Sequence, residues 1–182
     1  QLKQELDQTT DVVMLPYHTA FDERGRPCYT YYRERLLRRA AGFHWVGAVH
    51  ECITPCGHIR YADAAVTHHK EKMVDSDRNL KIYERMLARG EKLDARAQFY
   101  YARELMTHER FMQAVSAFEN FLHRPDGWVE NQIEACRNLA DCLVALGERE
   151  QARQALVRSF VLDSPRGETC CALAALEMED GR

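Results

Sequence analysis

The densest concentration of chemically able side chains is Trp45-Val46-Gly47-Ala48-Val49-His50-Glu51, where a histidine and a glutamate adjoin in an otherwise apolar run. Ionisable groups among apolar neighbours cost free energy unless they are used or hydrogen-bonded. An imidazole suits contact with a metal or a diphosphate, and a carboxylate suits proton abstraction. The run from Trp45 to Ile53 reads as a strand, in which successive side chains point to opposite faces. His50 and Glu51 then reach one pocket only where that strand ends, and Thr54-Pro55 supplies the end. The plainer reading is a His and a Glu satisfied by backbone groups and a nearby Arg.

A second cluster, Arg33-Glu34-Arg35-Leu36-Leu37-Arg38-Arg39, places four arginines in seven positions. The guanidinium fork matches phosphate oxygens, so such a group can neutralise a diphosphate. Period two puts Arg33, Arg35 and Arg39 on one side of a strand and Arg38 on the other. The competing reading is a solvated face paired with Glu34, Asp22 and Glu23. A third array, His50, Cys52, Cys56 and His58, contains only zinc-binding residue types. Four ligands within nine positions leave little chain to wrap a tetrahedron, so catalytic use of His50 is preferred to structural zinc.

The elements that must position these groups change character near Lys70 to Arg78. Before it, short strand-type runs cover Val12 to Tyr17, Cys28 to Tyr32, Trp45 to Ile53 and Ile59 to Thr67, separated by Asp22-Glu23-Arg24-Gly25-Arg26-Pro27 and Thr54-Pro55-Cys56-Gly57. After it the period is helical, with Leu80, Tyr83 and Leu87 on one face and Tyr101, Leu105 and Met106 on another. A helix is expected over Asp77 to Arg89, with Asp75 and Asp77 as its cap and first-turn acid. Ala102 and Ala114 are twelve residues apart, as are Ala140 and Ala152, and each pair is followed four residues on by Phe118 or Leu156. A further step of 34 from Ala140 lands on Ala174, and from Gly147 on Gly181. Equal offsets between small residues mark repeated helical hairpins, and they resemble the tetratricopeptide repeat. By that resemblance a concave face carries Arg96, Phe99, Arg103 and Met106, then Glu134, Arg137, Asp141 and Val144. Such a face would hold a protein partner.

Composition limits the alternatives. The 182 residues are 46% hydrophobic and 29% charged, which excludes a collagen, a disordered tail or a disulfide-dense miniprotein. A formal charge of −3 advertises no polyanion-binding surface, and no nucleic-acid partner is expected. Apolar stretches are far shorter than the roughly 18 to 20 residues needed to span a bilayer. The opening Gln1-Leu2-Lys3-Gln4-Glu5-Leu6 lacks a signal-peptide pattern. Seven scattered cysteines, an odd number, fit reduced thiols in a cytoplasmic protein.

Taken together, Asp11-Val12-Val13, Phe21-Asp22-Glu23, Tyr31-Tyr32-Arg33-Glu34-Arg35, the run from Trp45 to Glu51, Gly57-His58-Ile59 and Val66-Thr67-His68 resemble the late part of a family 2 glycosyltransferase. The similarity is greatest to bacterial members that continue into tetratricopeptide repeats, and it covers essentially the whole chain. The resemblance implies an α+β, predominantly helical chain. Residues 1–78 would be the acceptor-side remnant of a GT-A domain, and 79–182 a helical solenoid whose last repeat is incomplete. It further implies inverting transfer of a sugar from a nucleotide-sugar donor to a glycan or polypeptide acceptor, with a divalent metal, Mn2+ or Mg2+. Carried over, His50 approaches the metal or diphosphate, and Glu51 is the general base or an acceptor contact. Trp45 stacks on a sugar, Arg33 and Arg35 line the diphosphate side, and His68 is a weaker candidate. The nucleotide-binding half and its Asp-x-Asp motif do not occur in these residues, since Asp75-Ser76-Asp77 sits at the entrance to the helices. The chain opens at Gln1, and a fragment inactive by itself is expected. The alternative is a helical protein-interaction module without catalysis.

Overall fold

A computed structural model describes residues 9–68 and 77–181. The fold is α+β, with a small mixed sheet and six α-helices among the described residues. The chain divides into two compact units, Gln1–Asp75 and Ser76–Arg182.

In the first unit, β1 (Val12–Phe21) is the central strand. It pairs antiparallel with β2 (Pro27–Leu37) on one edge and parallel with β3 (Ile59–Tyr61) and β4 (Val66–Thr67) on the other. The β1–β2 turn follows from Asp22, whose carboxylate accepts the Arg24 and Arg26 backbone N–H groups at 3.0 and 2.8 Å while Gly25 takes a φ of 73°. The single strand expected over Ile59 to Thr67 is instead two short ones, and Pro16 supplies the reason. The Met14 and His18 carbonyls accept from the Ala62 and His68 backbone N–H groups along that edge. Pro16, between them by period two, faces the same edge with no N–H to donate, so the ladder lapses there. Val12, Val13 and Leu15 form the buried part of β1.

Asp11 anchors this sheet. Its carboxylate accepts the His58 backbone N–H at 2.9 Å and lies 3.1 Å from Arg38 Nε, while the Asp11 backbone N–H donates to the His58 carbonyl at 2.9 Å. Arg38 also donates to the Thr10 carbonyl through Nε and a terminal nitrogen, at 3.1 and 2.9 Å. His58, at the end of segment 42–58, is thereby held against the start of β1.

The second unit holds α1 (Arg78–Ala88), α2 (Ala95–Thr107), α3 (Phe111–Leu122), α4 (Val129–Ala145), α5 (Arg149–Arg158) and α6 (Gly167–Glu179). Sequential helices pack on one another, with α2 also touching α4. The small residues singled out by spacing are where helices meet: Ala102, Ala114, Ala140 and Ala152 are all buried, as are Phe118 and Leu156. Ala174 differs, being exposed, and the buried residues of α6 are Thr169 and Leu176. Asp75 lies outside the described residues. Asp77 occupies the cap position of α1 rather than its first turn, and its side chain caps nothing. Its carboxylate instead pairs with Lys81 at 3.3 Å and His108 Nε2 at 3.2 Å. His108 is accordingly raised above the ordinary histidine range, first by its hydrogen bond with the Glu104 carbonyl and then by Asp77, against some desolvation.

Three of the helix ends turn through glycine in the left-handed region: Gly90 after α1, Gly147 after α4 and Gly181 after α6. After α2 the same place is held by Glu109 at a φ of 57°, although a side chain there is strained by about 1–2 kcal/mol. Glu109→Gly removes that strain at some cost in unfolded-state entropy. It is expected to raise stability by about 0.5–1 kcal/mol in urea denaturation, while Gly147→Ala lowers it by about 1 kcal/mol.

Candidate functional site

Trp45, His50 and Glu51 share a loop, not a strand. Val46 and Cys52 exchange two backbone hydrogen bonds, at 2.8 and 3.1 Å, and form an isolated bridge that closes the loop on itself. Gly47 takes a φ of 98° and His50 a φ of 54°, and neither conformation fits an extended run. Val49 and Ile53 turn inward and are buried, so the loop is pinned by its apolar residues. What remains outward is Trp45, 60% exposed, with His50 and Glu51 exposed at the tip. Alternation therefore does not separate His50 from Glu51; the bend at His50 brings both to solvent.

The four arginines do not form one cluster. Arg33 pairs with Glu34 at 2.9 Å, and Glu34 is itself buried. Burial works against the Arg33 charge, but the Glu34 carboxylate more than restores it, and the group is held above the usual arginine range. Arg38 belongs to the Asp11 anchor, and Arg39 opens a short 3-10 turn. Arg35 is different. The β1–β2 register steps from Met14 opposite Glu34 to Val13 opposite Leu36, leaving Arg35 as the extra residue of a bulge. The bulge aims its guanidinium over the Tyr17 ring, 4.3 Å from the centroid.

The Tyr17 ring also meets Tyr31 and His68 edge-on, at 5.6 and 5.8 Å, and the Tyr17 hydroxyl bonds His68 Nδ1. The weaker sequence candidate His68 thus joins Arg35, while Tyr17 and Tyr31 carried no signal beyond strand propensity. Tyr17 and Tyr31 pair directly across β1 and β2, a consequence of the register.

Among the described residues, no group of three or more His, Cys, Asp and Glu side chains gathers to hold a metal ion. Of the His50, Cys52, Cys56 and His58 array, His58 is turned to Thr9, with 3.2 Å between Nδ1 and the hydroxyl. His50 with Glu51 alone does not fit a metal centre. All seven cysteines are free thiols, with Cys136 and Cys142 buried and raised to about 11 by desolvation.

In the helical unit, Phe99 is buried and cannot line an open face. Arg103 spans from the Phe99 and Tyr100 rings, at 5.6 and 5.8 Å, to Glu134 at 3.4 Å, and Arg96 lies 5.3 Å from the Tyr100 ring centre. Arg137 pairs with Asp141 at 3.0 Å; burial raises the Asp141 carboxyl above its usual range, against the pull of Arg137. A cleft of about 390 Å³ opens between α4 and α6, lined by Glu130, Glu134, Arg137, Arg166 and Thr169 among others. No described helix is long and apolar enough to cross a membrane.

Comparison with protein families finds no match, and comparison with curated proteins finds none either. Among solved structures, the solution structure of a protein from Bordetella parapertussis is similar over 60% of this chain and 92% of its own, at 24% identity and a TM-score of 0.45. A likeness that slight carries no inference about activity.

Proposed function

We propose that the first unit is the acceptor-side part of an inverting, family 2-like glycosyltransferase, and that the helical unit is a tetratricopeptide-like array attached to it. The observation that carries this reading is the loop tip: a histidine held in the left-handed conformation beside an exposed glutamate and tryptophan. Non-glycine residues in that conformation cost about 1–3 kcal/mol and concentrate at functional sites. In this reading Glu51 accepts the proton from an acceptor hydroxyl as that oxygen attacks the sugar carbon, and the nucleoside diphosphate leaves. His50 contacts the diphosphate, and Trp45 offers its exposed ring to a sugar face. Arg33 and Arg35 lie on the diphosphate side, with Arg35 the better placed because Glu34 already occupies Arg33. A divalent metal, Mn2+ or Mg2+, would need ligands beyond those described. Free cysteines accord with a cytoplasmic setting.

The test is sugar transfer by the full-length protein from a panel of nucleotide-sugars. His50→Ala and Glu51→Gln should each lower kcat by about 10²–10⁴-fold, the usual contribution of a positioned acid or base, with an unchanged circular dichroism spectrum. Wild-type rates in both variants would remove the loop from the site. The second reading, a protein-interaction module, is favoured by the cleft between α4 and α6 with its mixed charges. It predicts that partner capture survives both substitutions and is lost in Arg137→Glu.

A further inference from the structure

Arg35 is partly buried, and its Nε lies out of solvent with no hydrogen-bond partner among the described residues. Its guanidinium contact is the Tyr17 ring, and no described carboxylate pairs with it. Neighbouring cations are satisfied: Arg33 on the same strand by Glu34, and Arg38 just beyond its end by Asp11. A half-buried cation stacked on an aromatic ring, with no counter-charge among the described residues, is a fixed positive site suited to an anion.

His68 completes it. A phenol is a far better proton donor than a neutral imidazole at Nδ1, so the Tyr17 hydroxyl donates to that atom. The neutral tautomer then carries its hydrogen on Nε2, and His68 is exposed. One ring thus fixes a guanidinium on its face and an N–H donor at its edge. Beside them, Tyr31 is 38% exposed and Tyr29, tilted against it at 5.8 Å, is 62% exposed. Exposed tyrosine rings offer flat apolar surface to the C–H face of a pyranose, with hydroxyls for its rim.

We infer that Tyr17, Tyr29, Tyr31, Arg35 and His68 form a binding subsite for an anionic saccharide, its phosphate or carboxylate on Arg35 and His68 and its ring on Tyr29 and Tyr31. The assignment shares Arg35 with the diphosphate side of the proposed transferase but requires no transfer reaction. It would place an acidic sugar, rather than a neutral one, against the sheet.

The test is direct binding to the 182-residue chain, followed by the Arg35 Nε–Hε and tyrosine ring resonances. The probes are glucose 1-phosphate, glucuronate, glucose and inorganic pyrophosphate. Saturable shifts at both Arg35 and the tyrosines are expected with glucose 1-phosphate or glucuronate. Binding should be at least tenfold weaker for glucose and for pyrophosphate, and tighter binding of one acidic sugar names the phosphate or the carboxylate as the source. Arg35→Gln should weaken that binding tenfold or more while Arg39→Gln leaves it unchanged, with both amide fingerprints retained. Should Arg35→Gln disturb the fold, Tyr29→Ala, on the exposed end of the same face, should weaken sugar binding at least fivefold. No shift at Arg35 with either acidic sugar, equal binding of pyrophosphate, or unchanged binding by Arg35→Gln would overturn the assignment. Inactivity of the full-length protein as a transferase would leave it intact.

Discussion

Gly57→Ala should open the sheet unit by about 3 kcal/mol, seen as an increase of about a hundredfold in exchange of the Val12 and Asp11 amide hydrogens. Two separate costs combine. Gly57 has a φ of 77°, and a side chain in that region is strained by about 1–2 kcal/mol. A Cβ built there would also sit 2.3 Å from Asp11 Oδ2 and 2.9 Å from its Cγ. The carboxylate must swing away, giving up its bond from the His58 N–H and its pairing with Arg38. A hydrogen bond to a charged group is worth about 1.5–3 kcal/mol net. Asp11→Ala alone should lose that second share, and the double variant should lose less than the two singles together, because the clash has already been removed. Strict additivity would show that the Asp11 contact is not what fixes Gly57. Since this anchor ties segment 42–58 to β1, Gly57→Ala should also loosen the loop that presents His50 and Glu51.

The helical unit was the more legible half. Its offsets between small residues report packing, and Ala102, Ala114, Ala140 and Ala152 are all buried in the helical core. The sheet was less so, for reasons tied to single residues. Val46 and Val49 suggested a strand, but a run of β-branched residues records a preference for half-buried surface, and Gly47 with His50 bends it into a loop. Pro16 looked harmless within Val12 to Tyr17, yet its missing N–H divides the opposite edge in two. The arginine cluster misled because linear proximity was read as spatial proximity. One bulge at Arg35 is enough to send Arg33, Arg35 and Arg38 to three different partners. The orphaned Nε of Arg35 has no sequence signature at all; it arises from a register shift that depends on both strands.

Phe118→Ala should be among the most damaging changes in the second unit. The side chain is completely buried on α3, within the cluster that also holds Phe99, Leu105, Phe121 and Leu139. Removing a buried phenylalanine costs about 3–5 kcal/mol, the transfer of the ring plus the cavity left behind. The upper part of that range applies where neighbours cannot close the gap. Ala114, Ala117 and Ala152 in the same cluster are already alanine, so they have no side chain to extend into the void. For a unit of roughly a hundred residues, each 1 kcal/mol shifts Tm by about 4–8 °C. A fall of at least about 12 °C is therefore expected in thermal unfolding monitored at the helical band. Met112 on the same helix is 70% exposed, and Met112→Ala should stay within about 0.5 kcal/mol of the parent. Equal effects from the two substitutions would mean that α3 does not turn its Phe118 face to the core, and the spacing argument that links Ala114 to Phe118 would fall with it.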